Sequence, residues 1–245
     1  MQQTEQIFGL RAVIEAITAG KSIDKIFMQK GLKGPLYKEL ETLARKENLK
    51  LSYVPKERMD RFTKMNHQGV VASISPITLV DLENLVDEVC SSQEKPLFLL
   101  LDQVTDVRNL GAIIRTASCT GVHGIILPQT GSAPITADTI KTSAGGVFQV
   151  PIAKTTHLKD AIFLLQASGI SVIAATEKAE NDLYEVPMAS GTAIVMGAEG
   201  KGISPSVLKS VDHKAKLPMQ GPIGSLNVSV ACGVFLYEVV RQRKA

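Results

Sequence analysis

Apolar and polar positions alternate along this chain in two rhythms, with the change falling near residue 76. In the first part, Ile7, Leu10, Val13, Ile14 and Ile17 recur at helical spacing before Gly20, which predicts a helix over 7–20. SIDKIFMQ predicts a short strand, LYKELETLARKENL (36–49) a second amphipathic helix, and LSYVP extended chain. KERMDRFTKMNHQGV reads as a loop carrying Lys56, Arg58, Arg61, Lys64 and His67, and VVASI (70–74) as a closing strand.

Residues 76–96 are acidic, with Asp81, Glu83, Asp87, Glu88 and Glu94 and no base between 81 and 94; the stretch is compatible with a short acidic helix but is the best candidate for a connection between two domains. Beyond Pro96 strands and helices alternate. LFLLLD (97–102), GIILP (124–128), ISVIAAT (170–176) and TAIVMG (192–197) read as buried strands, with AKLP (215–218) a short extended piece. NLGAIIRTASCTG (109–121), with Asn109 as a candidate cap, a segment around 136–143, HLKDAIFLLQASG (157–169) and SLNVSVACGVFLYEVVRQR (225–243) read as helices. Apolar strands alternating with helices imply an α/β fold with a mainly parallel sheet covered on both faces.

Composition narrows the class. Forty-four per cent hydrophobic and 21% charged residues describe an ordinary globular protein, which excludes wholesale disorder. No secretory signal is visible in MQQTEQIFGL, and no apolar window reaches the length of a membrane span, so no membrane association is expected. Cys90, Cys119 and Cys232 lie far apart without metal spacing, and a reducing cytoplasm is the expected location. His67, His123, His157 and His213 show no ligand spacing and are read as surface or loop residues, so no metal is expected. Residues 1–75 hold 13 Lys or Arg against 8 Asp or Glu, so a polyanion would meet the small N-terminal part first, unless these lysines only keep it soluble.

Ligands of open parallel sheets bind beyond the carboxyl ends of the strands. Three segments leave apolar strands for polar or glycine-rich chain: 102–117, 196–204 and 217–233. They bring Asn109, Arg115, Glu199, Ser225, Asn227 and Ser229 to the edges of apolar elements. GAEGKG is GxxGxG, neither a dinucleotide fingerprint nor a P-loop; its glycines either admit a ligand to the backbone or make a tight turn at Gly202. Arg115, among Ile113, Ile114 and Ala117, either forms an ion pair with Glu199 or Asp102 or faces a phosphate-bearing substrate.

These segments also carry a resemblance. Asn109 through Arg115 in N-x-G-x-x-x-R, Glu199 in M-G-x-E-G-x-G, and Leu217 through Ser229 in LPM-x-G-x-x-x-SLNVSVA resemble the three motifs of the SpoU-type ribose methyltransferases of the SPOUT superfamily. SAGG (143–146) matches a further feature of that family, and IFGLRAVIEAI with HQGVVAS is similar to the N-terminal domain of one subgroup. That subgroup methylates a guanosine ribose in the peptidyl-transferase region of large-subunit (23S) ribosomal RNA.

The resemblance implies an α/β fold whose C-terminal region threads a trefoil knot, preceded by a small α/β domain. It divides the chain into an RNA substrate-binding domain (1–76), an acidic linker (77–95) and a knotted methyltransferase domain (96–245). It implies S-adenosylmethionine as methyl donor, held around Gly197, Gly200, Leu217, Ser225, Leu226, Asn227 and Ser229, and a homodimer through the catalytic domains, with an active site bordered by both chains. Arg115, Asn109 and Glu199 are the implied catalytic residues. A guanidinium, with a pKa above about 12, is a poor proton acceptor, so Arg115 is read as orienting the nucleophile through its phosphate. The catalytic motifs leave tRNA open as the substrate in place of ribosomal RNA. A non-enzymatic RNA-binding or ribosome-assembly protein on the same fold is disfavoured by the intact motifs, and a nicotinamide-dependent oxidoreductase by the absent fingerprint.

Overall fold

The computed structural model describes residues 6–47, 49–62 and 66–244, so Lys64 lies outside the described residues. The chain divides into two compact units, Met1–Thr78 with Pro134–Ala137, and Leu79–Ala133 with Asp138–Ala245.

The first unit runs β1 (Gln6–Phe8), α1 (Leu10–Thr18), β2 (Ile23–Gln29), α2 (Pro35–Lys46), β3 (Leu51–Val54), α3 (Lys56–Phe62) and β4 (Val70–Ile74). Its sheet has the order β1-β4-β2-β3, with β4 antiparallel to β1 and β2, and β2 parallel to β3. The helix expected from Ile7 begins only at Leu10, because Gly9 at φ 89° turns the chain out of β1. The expected loop after Pro55 is instead helix α3, whose Met59 is fully buried against Val54 and Val71. His67 lies in a loop, as expected, with its side chain buried: its Nδ1 accepts from the Gly69 amide at 2.9 Å, leaving Nε2 to donate to Asp60 Oδ1 at 2.9 Å.

The second unit opens with α4 (Leu82–Ser92). This is the acidic stretch expected to connect domains; it is capped by the Asp81 side chain and buries Leu85, Val86 and Val89 in the core of this unit. There follow β5 (Leu97–Asp102), α5 (Val107–Cys119), β6 (Gly124–Pro128), α6 (Ala137–Thr142), β7 (Ile152–Thr155), α7 (Leu158–Ala167), β8 (Ser171–Ala175), β9 (Thr192–Gly197), α8 (Pro205–Leu208), β10 (His213–Ala215) and α9 (Val228–Lys244). All neighbouring strands are parallel, in the order β10-β8-β9-β5-β6-β7. All six residues of β5 are buried, as expected of a central strand covered on both faces. Phe98, Leu100, Ala193 and Val195 pack with α4 and α7, while α9 lies against α5 and β9. The chain runs from β5 to one edge and then crosses to β8 and β9, so the order reverses between β9 and β5.

Helix α9 is anchored at its end by polar contacts. The Arg243 guanidinium donates to the carbonyls of Lys95, Pro96 and Ser190 at 2.8–2.9 Å, and the Gln242 side chain bonds Val186 O and the Met188 amide. Buried Glu238 takes two bonds of 2.8 Å from Arg241 and one from Gln242, and the Arg241 bonds hold its carboxyl below the usual range. No helix among the described residues is long and apolar enough to cross a membrane.

Two outcomes follow from this packing. A Cβ on Gly111 would lie 2.6 Å from Thr142 Cβ and 3.2 Å from Thr139 O, so Gly111→Ala is expected to cost about 1–3 kcal/mol in urea unfolding. The lowered Glu238 carboxyl contributes stability that is complete above about pH 4.5 and lost as the pH falls through its folded value. Glu238→Gln should therefore flatten the acid limb of a stability profile relative to the parent.

Candidate active site

Register places the site. Asp102 pairs with Gly197 at the carboxyl ends of β5 and β9, so the chain leaving each strand emerges beside the other at the point where strand order reverses. Asp102 is buried, and its Oδ2 accepts from the Ser204 amide at 2.7 Å, which pins the loop after β9 to the end of β5.

That loop is a closed turn. Ala198 and Gly202 exchange backbone hydrogen bonds of 3.2 and 2.8 Å, with Gly200 and Gly202 at φ 77° and 67°. A Cβ on Gly197 would fall 2.3 Å from the Gly202 carbonyl carbon, so this position excludes every side chain. The tight turn at Gly202 is present, and Gly197, Gly200 and Gly202 also line a cavity of about 740 Å³.

Across the cavity mouth, Glu199 meets two asparagines brought from far along the chain. Its Oε1 accepts from Asn109 Nδ2 at 3.1 Å, from Asn227 Nδ2 and from the Val228 amide at 3.4 Å. Asn227 Nδ2 also donates to Asn109 Oδ1 at 3.0 Å, which closes a triangle. Asn109 is free for this because the cap of α5 is Asp106, which accepts from the amides of Arg108 and Asn109 at 2.9 and 2.8 Å. Helix α9 starts at Val228 rather than near Ser225, so Asn227 stands just before its first turn, where its Oδ1 takes the Ser229 amide and hydroxyl.

Of the residues expected to hold a donor, Gly197, Gly200, Leu217, Ser225, Leu226 and Asn227 line the cavity; Ser229 does not, and instead buttresses Asn227. Thr176 and Glu177, at the end of β8, also line it, and sequence reading passed over them. The only available signal was their place at the carboxyl end of an apolar strand. The lining combines glycine-loop backbone, apolar Met196, Leu217 and Phe235, and the charges of Glu177 and Lys216. Such a set fits a molecule with a flat apolar end and a zwitterionic end, as S-adenosylmethionine is.

Arg115 is exposed on α5 and is not part of the cavity wall. It makes no ion pair with Glu199 or Asp102, which overturns the structural alternative: Glu199 is engaged by amides and Asp102 by Ser204. The turn Gly146–Phe148 packs against its backbone, and a Cβ on Gly146 would lie 3.5 Å from Arg115 Cα. Among the described residues there is no group of three or more His, Cys, Asp or Glu side chains able to hold a metal ion.

A parallel α/β sheet with a glycine-turn cavity at its reversal point defines a domain built to hold a nucleotide-sized small molecule. Residues 96–237 match the SpoU rRNA Methylase family, and residues 6–80 match the family described as RNA 2'-O ribose methyltransferase substrate binding. The chain belongs to the SpoU family of RNA methyltransferases. One relative, the 23S rRNA (guanosine-2'-O-)-methyltransferase RlmB of Pseudomonas syringae pv. tomato, is 38% identical over 100% of this chain and 98% of its own. An AdoMet-bound rRNA methyltransferase from Sinorhizobium meliloti superposes with a TM-score of 0.62 at 27% identity, covering 96% of this chain and 86% of that one. The A. aeolicus TrmH/SpoU tRNA modifying enzyme superposes with a TM-score of 0.57 at 30% identity, covering 66% of this chain and 84% of that one.

If the triangle acts as one unit, Asn109→Ala and Asn227→Ala should not add. A double-mutant cycle read by urea unfolding is expected to give a coupling of about 1 kcal/mol, and additivity would mean the asparagines act separately.

Proposed function

We propose that this protein transfers a methyl group from S-adenosylmethionine to the ribose 2'-hydroxyl of a guanosine in 23S ribosomal RNA, acting in the cytoplasm as a homodimer. The observation that carries this reading is the Asn109–Glu199–Asn227 triangle, which gathers three motifs separated by up to 118 residues at the mouth of one cavity. Bound there, the donor supplies a methyl already activated on a sulfonium, so the protein's work is alignment and assistance to proton loss. The backbone at Gly197, Gly200, Leu217 and Leu226 holds the donor, and we assign segments 196–204 and 215–229 to a trefoil knot. Asn109 and Glu199 fix the mouth, with Asn227 and Ser229 as their support. Arg115 orients the target ribose by gripping its phosphate, and the proton leaves to phosphate or water.

The position of Arg115 supports a dimer. It stands exposed outside the cavity of its own chain, as a residue serving a neighbouring chain's cavity would. Helix α9 presents exposed Val230 and Tyr237 beside exposed Tyr184, an apolar patch suited to a two-fold contact between second units. The first unit, matching the substrate-binding family, holds the RNA, in keeping with its excess of bases.

The deciding experiment maps ribose methylation across cellular RNA with and without the gene. Loss of one guanosine methyl in 23S RNA is expected; loss of a tRNA methyl would retain the chemistry and replace the target. No lost methyl, with purified protein equally inactive on total RNA, would leave an RNA-binding protein. For the residue assignment, Arg115→Lys is expected to lower kcat by about 10- to 100-fold while donor affinity is unchanged, because Lys lacks the bidentate fork. Mixing Arg115→Ala chains with Glu199→Ala chains, each verified as folded, should restore part of the activity if the site is shared between protomers. No restoration would assign Arg115 to its own chain's cavity.

A further inference from the structure

One face of the sheet in the first unit remains without an assignment. Ile26 and Met28 of β2, with Val70 and Ala72 of β4, pack under α1 and α2. Strand alternation turns Phe8, Phe27, Val54 and Val71 to the opposite face, where Met59 and Phe62 of α3 cover them. Helix α3 has seven residues and covers only part of that face. The remaining positions are polar and half-buried. Gln6 pairs with Ser73 and Ser73 with Lys25 across three strands, and Ser52 pairs with Phe27. With neighbouring strands about 4.8 Å apart, the row Gln6–Ser73–Lys25 spans about 10 Å.

Aromatic rings and cations border this row. Lys25 Nζ stands 4.7 Å from the centroid of the Phe27 ring, and the Phe27 and Phe62 centroids are 4.5 Å apart. Arg58 and Arg61 line a groove of about 660 Å³ with Pro55, Glu57 and Phe62. Partial burial, then Lys50 and Arg58, push the Lys25 ammonium below its ordinary pKa, with Asp24 opposing them. Cations gathered this closely repel one another, and a polyanion relieves that repulsion by replacing several small counterions at once.

We propose that this half-covered sheet face grips a single-stranded stretch of the RNA substrate, bases along the Phe27–Phe62 edge and the Gln6–Ser73–Lys25 row, phosphates toward Lys50, Arg58 and Arg61. The assignment rests on the methyltransferase reading for the identity of the polyanion. A single strand fits because unpaired bases offer faces to stack and edges to accept or donate, both of which a duplex keeps occupied. An acidic peptide would satisfy the cations but leave the polar row and the rings unused.

The test uses the full chain carrying Lys50→Gln, Arg58→Gln and Arg61→Gln together, with thermal unfolding to verify the fold. Fluorescent single-stranded oligoribonucleotides, a matched duplex and polyglutamate serve as probes over a salt series. Losing three phosphate contacts should weaken single-strand binding on the order of 100-fold at 0.1 M salt and reduce the salt slope by about 2. The single variant Arg58→Gln, on an exposed side chain, should show about a third of that slope change. Methyl transfer to RNA should show a raised KM with kcat and donor binding unaltered. Unchanged KM and slope in an active enzyme would overturn the proposal and leave the methyltransferase reading standing. A parent that binds single strands through these residues but transfers no methyl would do the reverse. Equal losses toward polyglutamate and RNA would overturn it in favour of a surface for acidic proteins.

Discussion

The pairing of Asp102 with Gly197 is the constraint on which the rest of the site depends. Two parallel strands in this register deliver two loops to the same edge of the sheet, and the Asp102–Ser204 bond prevents the second loop from lifting away. With that fixed, Glu199 has one place to go, and its carboxylate becomes the acceptor around which Asn109 and the start of α9 are arranged. A one-residue slip would exchange the two packed faces of either strand and carry Gly197 away from Asp102, so the register that packs the core also sets the geometry of the cavity mouth.

Much of the second unit was legible because its strands are continuous apolar runs: LFLLLD and TAIVMG have no other stable home than the middle of a covered sheet. The first unit was less so. Helix α3 escaped notice since Met59 and Phe62 are its only apolar residues among five charged ones, too few to set a period. The acidic stretch was compatible with a helix, but its charges spoke for a connection; Leu82, Leu85, Val86 and Val89 lie at helical intervals and form the buried face that counting acids passed over. Strand β7, only four residues long and directly following Pro151, had too short a pattern to register.

The site divides in the same manner. Glycines after an apolar strand announce a special backbone, and Gly197 needs its missing side chain for a reason that packing alone explains. The triangle is another matter, because Asn109 and Asn227 are separated by 118 residues and no local periodicity relates them. Their association came from likeness to a family, and the physical cause became visible only with the strand register and with Asp106 relieving Asn109 of capping duty.

The clasp at the end of α9 couples the two ends of the central sheet. Arg243 holds carbonyls that flank the starts of β5 and β9. The same helix lends Val228, Ala231 and Phe235 to the wall of the cavity at the far ends of those strands. One helix thus works as a brace from the entry of the strands to their exit, so that loosening its last turn loosens the cavity wall as well.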